Sequence, residues 1–258
     1  MALVTVIGRG HSGTRAISHT LYASGVYMGR TINASGDLVP PEAMYDACRV
    51  MAPYVDRVGE LDWDFSRAIS ADIPAEFTAL IERYLDSVLK SSAPERGWKI
   101  PETTLVFPWI ARLFPDVKYI FWVRDPRDCV LDSHITDDLA RFDIDYPPTV
   151  DQRRQRAISW KYQYDLMQST PKPKQWLEVR FEDFVLHQEQ TLQRLEDFLG
   201  YALARIVVRP EAVGRWKSDT GMHDFDFFEP ALRAYGYELS SVAPASNGGA
   251  PETSREAR

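Results

Sequence analysis

Apolar positions along the chain switch repeatedly between two periods. Ala2–Ile7 is a short apolar run rich in β-branched residues, and the Gly/Ser/Thr cluster behind it gives way to Ala16-Ile17-Ser18-His19-Thr20-Leu21-Tyr22, which reads as strand, loop and helix. Pro40-Pro41-Glu42 starts a further helix, with Met44, Cys48, Met51 and Val55 at helical spacing. Ala75–Leu89 repeats that pattern through Phe77, Leu80, Ile81, Tyr84 and Val88. Each of these helices is expected to bury one face.

Gly97-Trp98-Lys99-Ile100-Pro101 is of strand type, and a helical stretch follows through Leu105, Trp109, Ile110 and Leu113 until Pro115-Asp116 ends it. Lys118–Val123 is the clearest buried strand, stopping at the turn Arg124-Asp125-Pro126-Arg127-Asp128, which leads into another helix. Gln175–Arg180 reads as a strand and Glu189–Leu199 as an amphipathic helix closed by Gly200. Strands alternating with helices predict an α/β fold: a single three-layer domain over residues 1–239, with a central, mostly parallel sheet flanked by helices. In residues 240–258, Ser, Pro, Gly, Ala and charge replace apolar residues, which predicts a disordered tail.

Composition narrows the function classes. The 258 residues are 45% hydrophobic and 26% charged, an ordinary globular balance that argues against a wholly disordered, fibrous or membrane-embedded chain. A net charge of −7 repels polyanions at long range, so nucleic acid is not expected as a partner, although a local basic pocket can still hold a phosphate. Cys48 and Cys129 stand far apart with no Cys-x-x-Cys or His-rich neighbour, and are expected to be reduced structural thiols, with no metal site. No stretch is long enough to span a bilayer, and Leu3–Ile7 leaves no room for a secretory signal. A cytoplasmic protein without integral membrane association is therefore expected.

The candidate chemistry begins at Gly8–Arg15, Gly-Arg-Gly-His-Ser-Gly-Thr-Arg. Gly8 and Gly13 keep the spacing of a G-x-x-x-x-G-K-[ST] phosphate loop, in which backbone N–H groups wrap an anion at a helix N-terminus. Thr14 stands where a triphosphate-binding loop has its Lys, and Arg15 where it has the Mg²⁺-binding Ser or Thr. The groups that grip a γ-phosphate and a metal are missing, while anion binding is retained.

His11-Ser12-Gly13-Thr14 after a strand resembles the first signature, [RK]-S-G-[TS], of the sulfotransferases that use 3′-phosphoadenosine 5′-phosphosulfate (PAPS). The resemblance implies a P-loop-like fold and PAPS as co-substrate. Arg9, Gly10, His11, Ser12, Gly13, Thr14 and Arg15 would form the 5′-phosphosulfate site. No metal is needed, because a transferring sulfuryl group carries less negative charge than a phosphoryl group.

Tyr119–Val123 followed by Arg124-Asp125-Pro126-Arg127-Asp128 resembles the family's second signature, in which an Arg and a Ser on the following helix bind the 3′-phosphate. Arg124 matches. The usual spacing puts Asp132 at the Ser position, with Ser133 one residue further, so Ser133 is the candidate contact. Trp176–Gly200 resembles the family's later strand-and-helix segment, with Leu192, Leu195, Phe198 and Leu199 as core and Arg180, Glu182 and Asp183 orienting it. Val213-Gly214-Arg215-Trp216-Lys217 resembles its C-terminal basic segment, which makes Arg215 and Lys217 candidate 3′-phosphate contacts.

Transfer needs a base for the acceptor's proton and cations for the leaving oxygen. Lys99-Ile100-Pro101 keeps the Lys of the family's Lys-x-His pair without the His, and Lys99 is a candidate contact to the sulfuryl or bridging oxygen. By position relative to other members, Glu42 is the expected base, with Asp37 and His134 as substitutes. His11 titrates near neutrality and is read either as a donor to the leaving oxygen or as a base. The Phe142–Pro148 segment, Trp63, Phe65 and Phe225–Phe228 are candidates to line a pocket for a small-molecule or carbohydrate acceptor bearing a hydroxyl or amine. Two other readings stand beside this one: a P-loop kinase-like phosphotransferase, and a non-catalytic adenine-nucleotide-binding module.

Overall fold

A computed structural model describes residues 2–239; the expected tail, 240–258, lies outside the described residues. Four strands, β1 (Ala2–Ile7), β4 (Glu95–Lys99), β5 (Lys118–Val123) and β6 (Trp176–Arg180), form one sheet in the order β4-β1-β5-β6. Every pairing in it is parallel, for example Val6 opposite Lys99 on one side and Ile120 on the other. β2 (Asp56–Arg57) and β3 (Trp63–Asp64) make a separate antiparallel pair.

Both faces of the sheet are covered, and the strand sequences say why. In β5, Tyr119, Phe121 and Val123 point into one apolar cluster while Ile120 and Trp122 point into another, so a period-2 strand with no polar face must be sandwiched. The first cluster is closed by α2 (Glu42–Met51), α4 (Ala75–Leu89), α5 (Phe107–Leu113) and α7 (Gln152–Ser169), with the short α3 (Ser66–Ser70) beside α5. The second is closed by α1 (Thr14–Ala23), α8 (Phe181–Leu186) and α9 (Gln188–Leu199). Beyond α6 (Pro126–Cys129), the last helix, α10 (Glu229–Ala234), seals a third cluster with Cys129, Trp160 and Phe228.

Most elements fall where the apolar periodicity puts them. Lys118–Val123 is a strand over the predicted residues, and Gly200, at φ 87°, ends α9 in the left-handed conformation that favours glycine. Two differences matter for the site. The helix α7 is not announced by spacing, because its first turns, Gln152–Arg156, are polar; Asp151 starts it by accepting from the amides of Arg153 and Arg154 at 2.8 and 3.2 Å. The helix expected after Arg124 is only the four residues of α6. The carbonyls of Cys129, Val130 and Leu131, which a longer helix would have used, instead accept from the guanidinium groups of Arg9 and Arg156.

The order β4-β1-β5-β6 reverses direction between β1 and β5, and a doubly wound sheet opens a crevice at the carboxyl ends of its strands at that point. Among the described residues no helix is long and apolar enough to cross a membrane. Ile120 is fully buried in the cluster that α1, α8 and α9 close. Ile120→Ala should therefore lower the unfolding free energy by about 2–5 kcal/mol in urea titration; a loss below about 1 kcal/mol would contradict the burial of this face of β5.

Candidate active site

β1 ends at Ile7 and the chain turns through Gly8–Gly13 into α1, whose first amides have no partner within the helix. They face a cleft of about 580 Å³ at the switch point, within the roughly 300–1,000 Å³ range of small-molecule sites. Two close approaches shape the loop. A Cβ on Gly10 would lie 2.2 Å from the His134 ring, and one on Gly13, at φ 87°, would lie 2.4 Å from the Phe181 ring. His11 takes a left-handed φ of 62°, uncommon for a residue with a side chain, and this turns its ring outward.

The loop is held from beneath. Arg9, 5% exposed, forms an ion pair with Asp137 and donates to the carbonyls of Gly10 and Cys129, both at 2.9 Å. The Ser12 hydroxyl donates to the Arg9 carbonyl at 2.6 Å, and the Trp122 indole N–H to the Ser12 carbonyl at 3.1 Å. On the far rim, Arg124 donates to the His11 carbonyl at 3.0 Å and to Asp128 at 3.0 Å, with its guanidinium 4.5 Å over the Phe181 ring. Glu182 accepts from the Asp125 amide at 3.0 Å, which fixes the turn that carries Arg124.

The cleft lining also carries a polar set, His19, Ser35, Asp37, Lys99 and His134. Lys99, only 2% exposed, forms an ion pair with Asp37 and donates to the Ser35 carbonyl at 2.9 Å. The other Asp37 oxygen accepts from the Asn33 amide group at 3.0 Å, and Arg15 reaches the Ser35 hydroxyl at 3.3 Å. Burial lowers the Lys99 pKa, against the pull of Asp37. Glu102, 1% exposed and with one carboxylate oxygen lacking a partner, is pushed up to about 7 by burial, with the Asp37 charge adding to it and Lys99 opposing.

A model of the sulfotransferase family matches residues 4–205 of this chain, which span β1, the loop, β5 and β6. The chain belongs to the sulfotransferase family. Among solved structures, it is similar to the sulfotransferase domain from the curacin biosynthetic pathway, at 15% identity and a TM-score of 0.57, with 93% of this chain and 99% of that chain covered. It is also similar to the sulfotransferase domain from the Synechococcus PCC 7002 olefin synthase, at 17% identity and a TM-score of 0.56, with coverages of 92% and 96%. At these identities the likeness is one of fold.

In this sulfotransferase, Gly10, His11, Gly13, Thr14, Arg15, Lys99, Arg124 and Arg215 all line the cleft. Several expected residues are placed elsewhere. The Arg9 guanidinium points under the loop, committed to Asp137, and Ser12 is buried with its hydroxyl turned back on the Arg9 carbonyl. Ser133 lies past the end of α6, so there is no helix rotation to bring its hydroxyl round. What it offers the loop is its carbonyl, which accepts from His11 Nε2 at 2.6 Å. The carboxylate that spacing put at that position, Asp132, pairs with Arg215 at 2.9 Å. Lys217 pairs with Glu238 at 2.9 Å and lies against Trp216, off the cleft wall. Glu42 is exposed in the first turn of α2 and is not on the wall either.

None of the aromatic residues expected for the acceptor is on the cleft lining: Trp63, Phe65 and Phe142 are core in the cluster under α2, Phe225 and Phe228 in the one under α10, and the partly buried Tyr146 and Phe227 pack against those clusters. The residues missed from sequence are His19, Ser35, Phe181, Val185 and the Ile206–Arg209 strap. Phe181 directly follows a parallel strand, and the rule that sites collect at carboxyl ends of such strands could have found it.

Two pH effects follow. Burial lowers the His11 pKa, with Arg9 adding and the Ser133 carbonyl, Asp132 and Asp137 opposing, so its NMR titration midpoint should fall below 6.5; a midpoint at or above 6.5 would contradict the placement. For Glu102 the folded pKa is raised above its unfolded value, so its stabilising contribution is present below about pH 4.5 and lost as pH rises through about 7. Glu102→Gln should accordingly raise the melting temperature at pH 8 and do little at pH 5. An equal effect at both would argue against a buried, protonated Glu102.

Proposed function

We propose that this sulfotransferase moves the sulfuryl group of PAPS to a hydroxyl, or an amine, of a small polar acceptor by in-line displacement. The observation that carries this reading is the pair of chemically different side-chain groups that line one cleft at the α1 N-terminus. In one group Arg124 lies over Phe181, which shares an apolar cluster with Val185, Ile206 and Val208; in the other Lys99 is joined to Asp37 and to the Ser35 carbonyl, with His19 also on the lining. An arginine over an apolar platform suits the 3′-phosphate and adenine of the donor, and the loop amides suit its 5′-phosphosulfate. A set of hydroxyl, imidazole, carboxylate and ammonium groups suits a hydroxylated acceptor, a small metabolite or sugar.

Asp37 takes the base role in this reading in place of Glu42, because Asp37 lies on the cleft wall and is oriented by Asn33 and Lys99. The acceptor oxygen attacks sulfur as its proton passes to the Asp37 carboxylate. The bond from sulfur to the bridging oxygen breaks, and the electron pair leaves with 3′-phosphoadenosine 5′-phosphate. Lys99 and Arg15 offset the charge that builds on the transferring and leaving oxygens.

The test is transfer of labelled sulfate from PAPS to a panel of hydroxylated and amino acceptors, run beside ATP with Mg²⁺. Transfer from PAPS alone is expected. Transfer from ATP alone would turn the reading to a kinase-like enzyme, and tight PAPS binding without transfer to any acceptor would point to a nucleotide-binding module. Asp37→Asn should lower turnover by about 10²–10⁴-fold with PAPS affinity nearly unchanged, while Glu42→Ala stays within a few-fold of the parent. The opposite pattern returns the base to Glu42.

A further inference from the structure

Two imidazoles meet at the mouth of the loop, His11 and His134, edge to face with centroids 5.9 Å apart. Their hydrogen bonds fix opposite roles. His11 Nε2 faces the Ser133 carbonyl at 2.6 Å, and a carbonyl only accepts, so the His11 proton sits on Nε2 and is already engaged. His134 Nδ1 accepts from the Thr136 backbone amide at 3.2 Å, with the Thr136 hydroxyl at 2.9 Å. Its proton therefore sits on Nε2, which has no hydrogen-bond partner among the described residues, on a ring that lines the cleft.

The turn that carries His134 is built from several directions. Its backbone amide donates to Asp137 at 2.6 Å, Asp137 holds Arg9 through its other oxygen, and the Thr136 carbonyl accepts from Ser159 at 2.6 Å. The ring lies flat against Gly10, where a Cβ would collide with Cγ, Cδ2 and Nδ1 at 2.2, 2.5 and 2.6 Å. The bare Cα of Gly10 is what lets an imidazole approach the loop backbone so closely. Burial, with the charge of Arg9 alongside, pushes the His134 pKa down to about 3, so the ring is neutral throughout the physiological range and keeps its tautomer.

We propose that His134 is a catalytic residue that donates its Nε2–H to an oxygen of the transferring sulfuryl group, a fixed neutral donor at the loop where His11 has spent its own. This rests on the reading of the cleft as a PAPS site. A preorganised donor of this kind acts on charge that develops during transfer, and losing one typically costs about 10²–10³-fold in turnover.

Three substitutions separate this from a purely structural role. Asn places an oxygen where Nδ1 accepts from Thr136 but offers the cleft no donor at Nε2; Gln reaches the Nε2 position with an N–H; Ala removes both. Labelled-PAPS transfer should fall about 10²–10³-fold in His134→Asn and His134→Ala, with His134→Gln recovering at least about tenfold of that loss. Affinity for 3′-phosphoadenosine 5′-phosphate, which has no sulfuryl group, should stay within a few-fold in all three by calorimetry. Turnover in His134→Asn equal to the parent's would overturn the proposal. So would nucleotide affinity falling in step with turnover, the mark of a collapsed 133–137 turn. Failure of the unsubstituted protein to transfer sulfate from PAPS counts instead against the proposed function itself.

Discussion

The buried ion pair between Arg9 and Asp137 is the constraint on which the site depends. It joins the loop after β1 to the turn after α6, segments far apart in sequence that have to meet over the carboxyl end of the sheet. A buried pair repays its desolvation only when the remaining donors and lone pairs are also satisfied, and here most are: Arg9 also holds the Gly10 and Cys129 carbonyls, and Asp137 also holds the His134 amide. Taking away one partner would strand the other, at a cost of about 3–5 kcal/mol, and would release the loop and His134 together. The same pair thus shapes the loop after β1 and fixes the imidazole beside it.

Around that pair the sheet supplies the frame. Parallel strands buried on both faces leave only their ends for chemistry, and the reversal of strand order between β1 and β5 makes those two ends the wide ones. The chain therefore delivers the loop after β1, Arg124 after β5, Phe181 after β6 and Lys99 at the end of β4 to one rim. Trp122 shows how tightly frame and site are joined: its ring lies in the core with Phe184 while its N–H holds the Ser12 carbonyl of the loop.

Much of this is legible in the sequence, for reasons that differ by element. Lys118–Val123 is readable because a strand buried on both faces has no polar position to confuse its period, and Gly200 because a helix end in the left-handed region asks for glycine. The loop is readable because its glycines sit at close approaches that no other residue fits. What spacing does not carry is the direction of long side chains. Arg9 and Arg15 look equivalent in the string, yet the first turns inward to a carboxylate 128 positions away and the second outward to Ser35. Glu42 and Asp37 are likewise two acids near one helix start, and only the Asn33–Asp37 turn, tied back by Lys99, puts the second on the wall. The shortness of α6 escaped the pattern because the guanidinium groups that take up the carbonyls at and beyond its end come from residues 9 and 156.

The most direct test of the account is a crystal structure with 3′-phosphoadenosine 5′-phosphate bound. The 5′-phosphate should lie within about 2.7–3.2 Å of backbone amides of Gly10–Thr14, and the 3′-phosphate against Arg124, with the adenine beside Phe181. A nucleotide bound in the reverse sense, with its 3′-phosphate against Lys99 and Asp37, or bound away from the loop altogether, would contradict it.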